Sequence, residues 1–145
     1  YGYYVDHPPF PLENTVANFN IDMIGRIDRN HPGDSAYVYL IGSDKLSLEL
    51  HQISESMNST YTRLKLDYTY NDDDDPNRYY YRSDQYSFAR NRIPSIFYFT
   101  GVHEDYHRPT DTADKLEYDR MATITRLIFY TVMQVADRED RIGYK

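Results

Sequence analysis

The chain is organised around Ile96-Phe97-Tyr98-Phe99 and the polar loop after it, Thr100-Gly101-Val102-His103-Glu104-Asp105-Tyr106-His107-Arg108-Pro109-Thr110-Asp111-Thr112. The apolar run predicts a buried strand that ends in this loop. A histidine with a carboxylate four residues on, such as His107 with Asp111, is a common way to present a metal ligand at a strand end. A single loop histidine is also a common surface residue, so the interpretation depends on the rest of the chain.

Residues 16–24 alternate between apolar and polar side chains, which predicts a second strand. The apolar face is predicted to carry Ala17, Phe19, Ile21 and Met23. Asp22 lies on the polar face near the carboxyl end, where ligands bind in open α/β sheets. Two roles remain open for Asp22: a ligand in a site, or a residue that caps the following turn or pairs with Arg26.

The remaining patterns complete an α/β order of elements. Apolar and alternating runs predict strands over residues 36–41 and 63–68. Helical spacing predicts an amphipathic helix of about 14 residues between these two strands and a long one from Asp119 onward. Ser83 is a candidate cap for a short helix before the strand at Ile96. The expected fold class is therefore α/β, with three αβα layers and a mostly parallel, mixed central sheet.

Length and charge restrict the function classes. The 145 residues favour a single domain, and the net charge of −7 disfavours nucleic-acid binding, which needs clustered lysine and arginine. No apolar run approaches the length of a membrane span. The sequence contains no cysteine, which excludes disulfides and cysteine-type zinc sites but does not fix the compartment.

The two ends of the chain carry no predicted core element. Residues 1–15 are rich in tyrosine and proline and are expected to form an extended connector, because prolines prevent helix formation over His7–Pro11. Residues 137–145 are charged and are expected to be a frayed tail. The opening residues look like the middle of a folded sequence, so we expect a fragment or a processed product.

Four separated motifs resemble, in the right order, the C-terminal half of the catalytic domain of the M28 family of zinc exopeptidases. They are Asn20-Ile21-Asp22-Met23-Ile24-Gly25-Arg26, Ser83-Asp84, Ile93-Pro94-Ser95 and the loop Gly101–Thr112. The resemblance extends over residues 12–136 and implies a zinc-exopeptidase-like fold that is incomplete in residues 1–145. It also implies a peptide substrate.

The resemblance implies specific roles for five residues. Asp22 would be a ligand of one zinc ion and His107 a ligand of the other, and the two ions would activate a water for attack on the peptide carbonyl. Asp111 would orient the His107 loop. Tyr81 and Tyr106 are candidates for lining the substrate cleft.

The sequence departs from the family pattern in two ways. Gln85 stands where the family often has histidine after the Ser-Asp pair. The family also draws ligands from an upstream His-x-Asp motif and a Glu-Glu pair that supplies the general base, and neither occurs here. We therefore expect no catalytic residue in this chain. We expect the chain alone to bind zinc weakly or not at all and to hydrolyse no peptide. We also expect self-association through the sheet face that upstream strands would cover.

Three other functions remain open at this point. Glutaminyl cyclases resemble this family but use one zinc ion for intramolecular acyl transfer. A peptidase-like domain can also serve in binding without catalysis. The 17 tyrosines would suit a carbohydrate-binding module, in which Asp22 and His107 would have no role as ligands.

Overall fold

A mixed sheet of four strands lies at the centre of the computed structural model, which describes residues 2–145. The strands are β1 (Asn18–Ile21), β2 (Tyr37–Ile41), β3 (Lys65–Asp67) and β4 (Ser95–Phe99). Their order across the sheet is β1-β4-β2-β3. The β1–β4 and β2–β3 pairs are parallel, and the β2–β4 pair is antiparallel. The predicted α/β class with a mixed, mostly parallel sheet is confirmed.

Helices cover the two faces of the sheet unequally. They are α1 (Gly2–Asp6), α2 (Leu48–Met57), α3 (Gln85–Ala89) and α4 (Tyr118–Ala136). Helices α2 and α4 pack together over one face, whereas the other face is covered by the short α3, by loops and by 3-10 turns. The predicted helical spacing of α4 is confirmed, because one face of the helix packs against the core through Met121, Ile124, Leu127, Ile128, Val132 and Val135. None of the helices within residues 2–145 is long and apolar enough to cross a membrane.

The central strands β2 and β4 are buried along their whole length. Along β4 the side chains alternate: Ile96 and Tyr98 join the core under α2 and α4, and Phe97 and Phe99 join an aromatic cluster on the opposite face. Each such residue removed from water contributes about 1.5–3 kcal/mol. Burial on both faces explains why these strands are continuous apolar runs in the sequence.

The edge strand β1 differs from its prediction at its carboxyl end. Phe19 packs against the core as expected, but Ile21 is 48% exposed and the strand ends there instead of at residue 24. Met23 adopts a positive φ of 56°, which a strand cannot accommodate. Strand β1 also has a strand partner on one side only within the described residues, so less of its surface is covered.

Both chain ends are more ordered than the sequence predicts. The expected extended connector contains α1, because the prolines begin only at Pro8 and Val5 is buried beside Phe88. Tyr1 lies outside the described residues. The prediction of a frayed tail over residues 137–145 is wrong, since Ile142 is only 2% exposed and belongs to the main core.

Candidate functional site

The carboxyl ends of β1 and β4 meet at one edge of the sheet, because these two strands are parallel neighbours with Ile21 opposite Tyr98. Asp22 follows β1 directly, and the loop that contains His107 follows β4. A pocket of about 280 Å³ opens between them. Its lining consists of Asp22, Met23, Gly25, Arg26, His103, Tyr106, His107, Asp111 and Leu116.

Four of the five predicted site residues therefore lie around one pocket. Asp22, Tyr106, His107 and Asp111 all line it. Tyr81 does not: it is 41% exposed and packs edge-to-face against Tyr80 and Tyr86. The four clustered residues come from the ends of two strands that are distant in the sequence, which is the arrangement that ligand sites in α/β sheets use.

The carboxylate of Asp22 is held by a serine. Ser83 Oγ donates a hydrogen bond of 2.9 Å to Asp22 Oδ2. Ser83 was predicted to cap α3, but that helix begins at Gln85 after Asp84 and has no side-chain cap. The alternative in which Asp22 pairs with Arg26 is wrong, because the guanidinium of Arg26 binds other carboxylates.

Arg26 anchors the loop that carries His107. Its guanidinium lies 3.2 Å from Glu104, 3.1 Å from Asp105 and 3.5 Å from Asp111. Lys115 adds a contact of 2.8 Å to Asp105. The hydrogen bond from Lys115, with smaller contributions from neighbouring donors that include Arg26, holds the pKa of Asp105 well below its usual range. The loop is thus tied to the β1 side of the pocket by several opposite charges.

His107 lies at the rim of this pocket in a left-handed backbone conformation, with φ 57°. Its ring stacks on that of Tyr106, with 3.8 Å between the centroids. Met23 on the opposite side of the pocket has φ 56°. Positive φ values are uncommon for residues other than glycine, and they concentrate at functional sites, where the surrounding structure must hold them.

His103 is a further histidine in the pocket wall. It is buried, with Nε2 3.9 Å from Asp111 Oδ2, and its Nδ1 has no hydrogen-bond partner among the described residues. Asp111 thus contacts His103 and Arg26, one residue of the loop and one of the opposite wall. These contacts agree with a role of Asp111 in orienting the loop, which stays a prediction.

The donor types in this pocket suit zinc, but their number does not. Imidazole and carboxylate groups are normal zinc ligands, and a zinc site needs three or four protein ligands in a fixed geometry. Within residues 2–145, no three histidine or carboxylate side chains are grouped closely enough to hold a metal ion. The described residues do not by themselves form a complete zinc site.

Sequence reasoning missed the two residues that support the site, Arg26 and Ser83. Arg26 belongs to the motif that carries Asp22, but its partners lie 78 or more positions further on. Ser83 is separated from Asp22 by 61 positions. The only available signal was that both occur in motifs of the same resemblance.

Comparisons with known proteins agree with this architecture. The family model described as peptidase family M28 matches residues 2–132. The fold is similar to that of a zinc aminopeptidase from Bacillus subtilis, with TM-score 0.68, 20% identity, and coverage of 92% of this chain and 31% of that one. It is also similar to an aminopeptidase from Aneurinibacillus sp. strain AM-1, with TM-score 0.67, 19% identity, and coverage of 99% and 31%.

A third similar structure is the LapA aminopeptidase of Legionella pneumophila, with TM-score 0.66, 19% identity, and coverage of 86% of this chain and 32% of that one. The chain thus spans about a third of the length of the solved structures that it resembles. No curated protein sequence matches it.

Proposed function

The chain belongs to peptidase family M28, and from this premise we propose that residues 1–145 supply part of a two-zinc site in a metal-dependent aminopeptidase that removes N-terminal residues from peptides. The observation that carries the proposal is the placement of Asp22 and His107, one after each of two parallel neighbouring strands, around a single pocket. The printed descriptions of the similar structures, a zinc aminopeptidase among them, support the same reaction class.

The residues of this chain contribute ligands and shape. Asp22 and His107 each offer one zinc-type donor, and the loop at Tyr106 forms one wall of the pocket. When bound, a pair of zinc ions supplies an activated water and polarises the peptide carbonyl. The remaining ligands and the general base come from protein outside residues 1–145, because too few donors are grouped within the described part of the chain.

Zinc titration and peptide hydrolysis test this assignment in the intact protein. Asp22→Ala and His107→Ala are expected to weaken zinc binding and to lower kcat/KM by about 100-fold or more, since even residues that only support ligands are worth 10- to 100-fold. Asp6→Ala and His7→Ala are matched controls at exposed positions outside the pocket. They should change the zinc affinity and kcat/KM by no more than about two-fold. If the two pocket variants and the two control variants change zinc affinity and kcat/KM equally, the assignment is excluded.

The chain alone gives an independent test. Residues 1–145 expressed by themselves should bind zinc weakly and should not hydrolyse aminoacyl substrates, because a site with about one ligand per ion and no base is incomplete. Tight stoichiometric binding in a calorimetric titration would contradict the shared-site proposal. Activity of the chain alone would contradict it as well.

We also propose that the chain alone self-associates through the free side of β1. This strand pairs with β4 on one side only, and Ile21 is 48% exposed at its end. A groove of about 590 Å³, lined by both apolar and charged residues, lies beside the same strand. Its apolar lining is Val16, Ala17, Phe19, Val132, Val135 and Ala136. A strand edge next to apolar surface favours pairing with a second copy.

Sedimentation of residues 1–145 with one lysine substitution tests this face. Ile21→Lys should shift the chain toward monomer, because a lysine on an edge strand opposes pairing. Leu48→Lys is the matched control, since Leu48 is also 48% exposed but lies on α2. A parent chain that is monomeric at high concentration would end the proposal, as would equal effects of the two variants.

A further inference from the structure

A second pocket, the Arg29 pocket, opens beside the one that contains Asp22 and His107 and has a volume of about 500 Å³. This volume lies within the range of small-ligand sites. Its wall includes Asp28, Arg29, Asn30, Tyr70, Asn77 and Tyr79. His103 lines both pockets, so a ligand in the Arg29 pocket lies next to the space in which the proposed peptide substrate binds.

Asp28 is the only carboxylate that residues 2–145 contribute to this wall, and it is buried and already occupied. Its Oδ2 accepts a hydrogen bond of 2.8 Å from the hydroxyl of Tyr39. Its Oδ1 accepts one of 3.2 Å from the backbone nitrogen of Asn30, and the ring of His31 lies 3.2 Å from the same oxygen. The lone pairs of Asp28 are thus used within the fold, and its charge is not available to a ligand.

Other groups in the Arg29 pocket have hydrogens that no acceptor uses. Arg29 is exposed, and its guanidinium makes no hydrogen bond or ion pair with the described residues. The hydroxyl of Tyr70 accepts a hydrogen bond of 2.8 Å from Asn30, which leaves its own hydrogen for an acceptor. Burial raises the pKa of the hydroxyls of Tyr70 and Tyr79, so both carry their hydrogen at neutral pH. The side chain of His103 is buried, and its Nδ1 has no partner within residues 2–145.

We propose that the Arg29 pocket binds a carboxylate group of a peptide. A carboxylate supplies acceptor oxygens and the negative charge that Arg29 lacks as a partner, and a guanidinium can bind it through two parallel hydrogen bonds. An aspartate or glutamate side chain and the C-terminus of a short peptide both present this chemistry. The inference rests on the proposed function for the peptide nature of the ligand, whereas binding of a carboxylate by Arg29 needs no metal ion.

Three N-acetylated probes test the pocket in the intact protein, because they lack the free amino group that an aminopeptidase removes with the first residue. N-acetylglutamate α-amide carries only a side-chain carboxylate, N-acetylglutamine carries only a terminal carboxylate, and N-acetylglutamine amide carries neither. In a ligand-observed NMR titration, at least one of the two acids should bind about 10-fold more tightly than the neutral probe, since hydrogen bonds to charged groups are the strong ones. The acid that binds more tightly identifies the source of the carboxylate.

Arg29→Ala should abolish the preference for the acids. Arg126→Ala is the matched control, because it removes the same charge from an exposed position on α4 outside the pocket, and it should keep the preference of the parent. Arg29→Lys should keep only a part, since an ammonium group retains the charge but not the planar pair of donors. A parent that binds all three probes equally overturns the proposal, and so does Arg29→Ala if it retains the preference of the parent.

The same titrations with a chelator separate failure of this inference from failure of the proposed function. A preference for the acids that survives the chelator supports the Arg29 pocket, even if the intact protein hydrolyses no peptide and the proposed function fails. A preference that the chelator abolishes belongs to a bound metal ion. That result overturns the Arg29 pocket and leaves the proposed function standing.

Discussion

Replacing Arg120 with alanine should destabilise the fold more than any other substitution of a charged residue on α4. Arg120 is only 5% exposed. Its guanidinium donates to the backbone carbonyls of Ser35 at 2.9 Å, Arg26 at 2.6 Å and Tyr37 at 3.2 Å. It also lies 4.5 Å above the centroid of the Tyr37 ring. One side chain thus joins α4 to the start of β2 and to the turn after Asp22.

The expected loss follows from these contacts. The two shorter hydrogen bonds involve a charged donor and are worth about 1.5 kcal/mol each at the low end of the usual range. The stacking of a desolvated guanidinium on a tyrosine adds about 1 kcal/mol. The 3.2 Å hydrogen bond is weak and adds little, so the free energy of unfolding should fall by about 4 kcal/mol. This is a large share of the 5–15 kcal/mol that is the usual free energy of unfolding of a domain.

Urea unfolding at neutral pH measures this loss against a matched control. Arg126→Ala changes the same residue type on the same helix at an exposed position, where the side chain makes no hydrogen bond to the described residues, and it should stay within about 0.5 kcal/mol of the parent. Arg120→Lys should retain only a part of the stability that Arg120→Ala loses, because one ammonium group cannot reach three carbonyls as a planar guanidinium does. A difference below about 1 kcal/mol between Arg120→Ala and Arg126→Ala would refute the reasoning.

Three further predictions concern stability. Ile142→Ala should lower the free energy of unfolding by about 2–5 kcal/mol in a urea titration, whereas a frayed tail would give almost no change. Gly101→Ala should cost about 3 kcal/mol in the same assay, because φ is 91° and the new Cβ would lie 2.3 Å from a carboxylate oxygen of Asp28. Asp105→Asn should destabilise the protein at neutral pH. Lys115 depresses the pKa of Asp105 in the folded protein. Below about pH 4 the Asp105 carboxyl takes up a proton in the unfolded state first, so the stability difference between Asp105→Asn and the parent should shrink as the pH falls further.

The sheet and its longest helix could be predicted because their signals are local. Strand β4 and strand β2 are continuous apolar runs that are buried on both faces, and α4 repeats its apolar residues with helical spacing over 19 residues. The positions of Asp22 and His107 at strand ends follow from the same patterns. Their approach to one pocket depends on β1 and β4 being parallel neighbours, which no local pattern encodes.

The supports of the site could not be predicted, because they depend on contacts between distant segments. Ser83 has a good capping sequence context, and only the fold shows that its hydroxyl is directed at Asp22 instead. Ile142 is a single apolar residue among charged ones, so no periodicity marks it as part of the core. Local propensity fails here because tertiary contacts decide the outcome.

The two sides of the pocket are held by different forces, and this difference determines how each responds to solution conditions. Asp22 is held through Ser83 by neutral amides that are buried, so neither salt nor a change of pH alters the donors that position it. The His107 loop is held by ion pairs of Arg26 with the exposed carboxylates of Glu104 and Asp111, and by Arg26 and Lys115 with the buried carboxylate of Asp105. The exposed ion pairs weaken with salt. High salt should therefore loosen the His107 side first, while the carboxylate of Asp22 keeps its orientation.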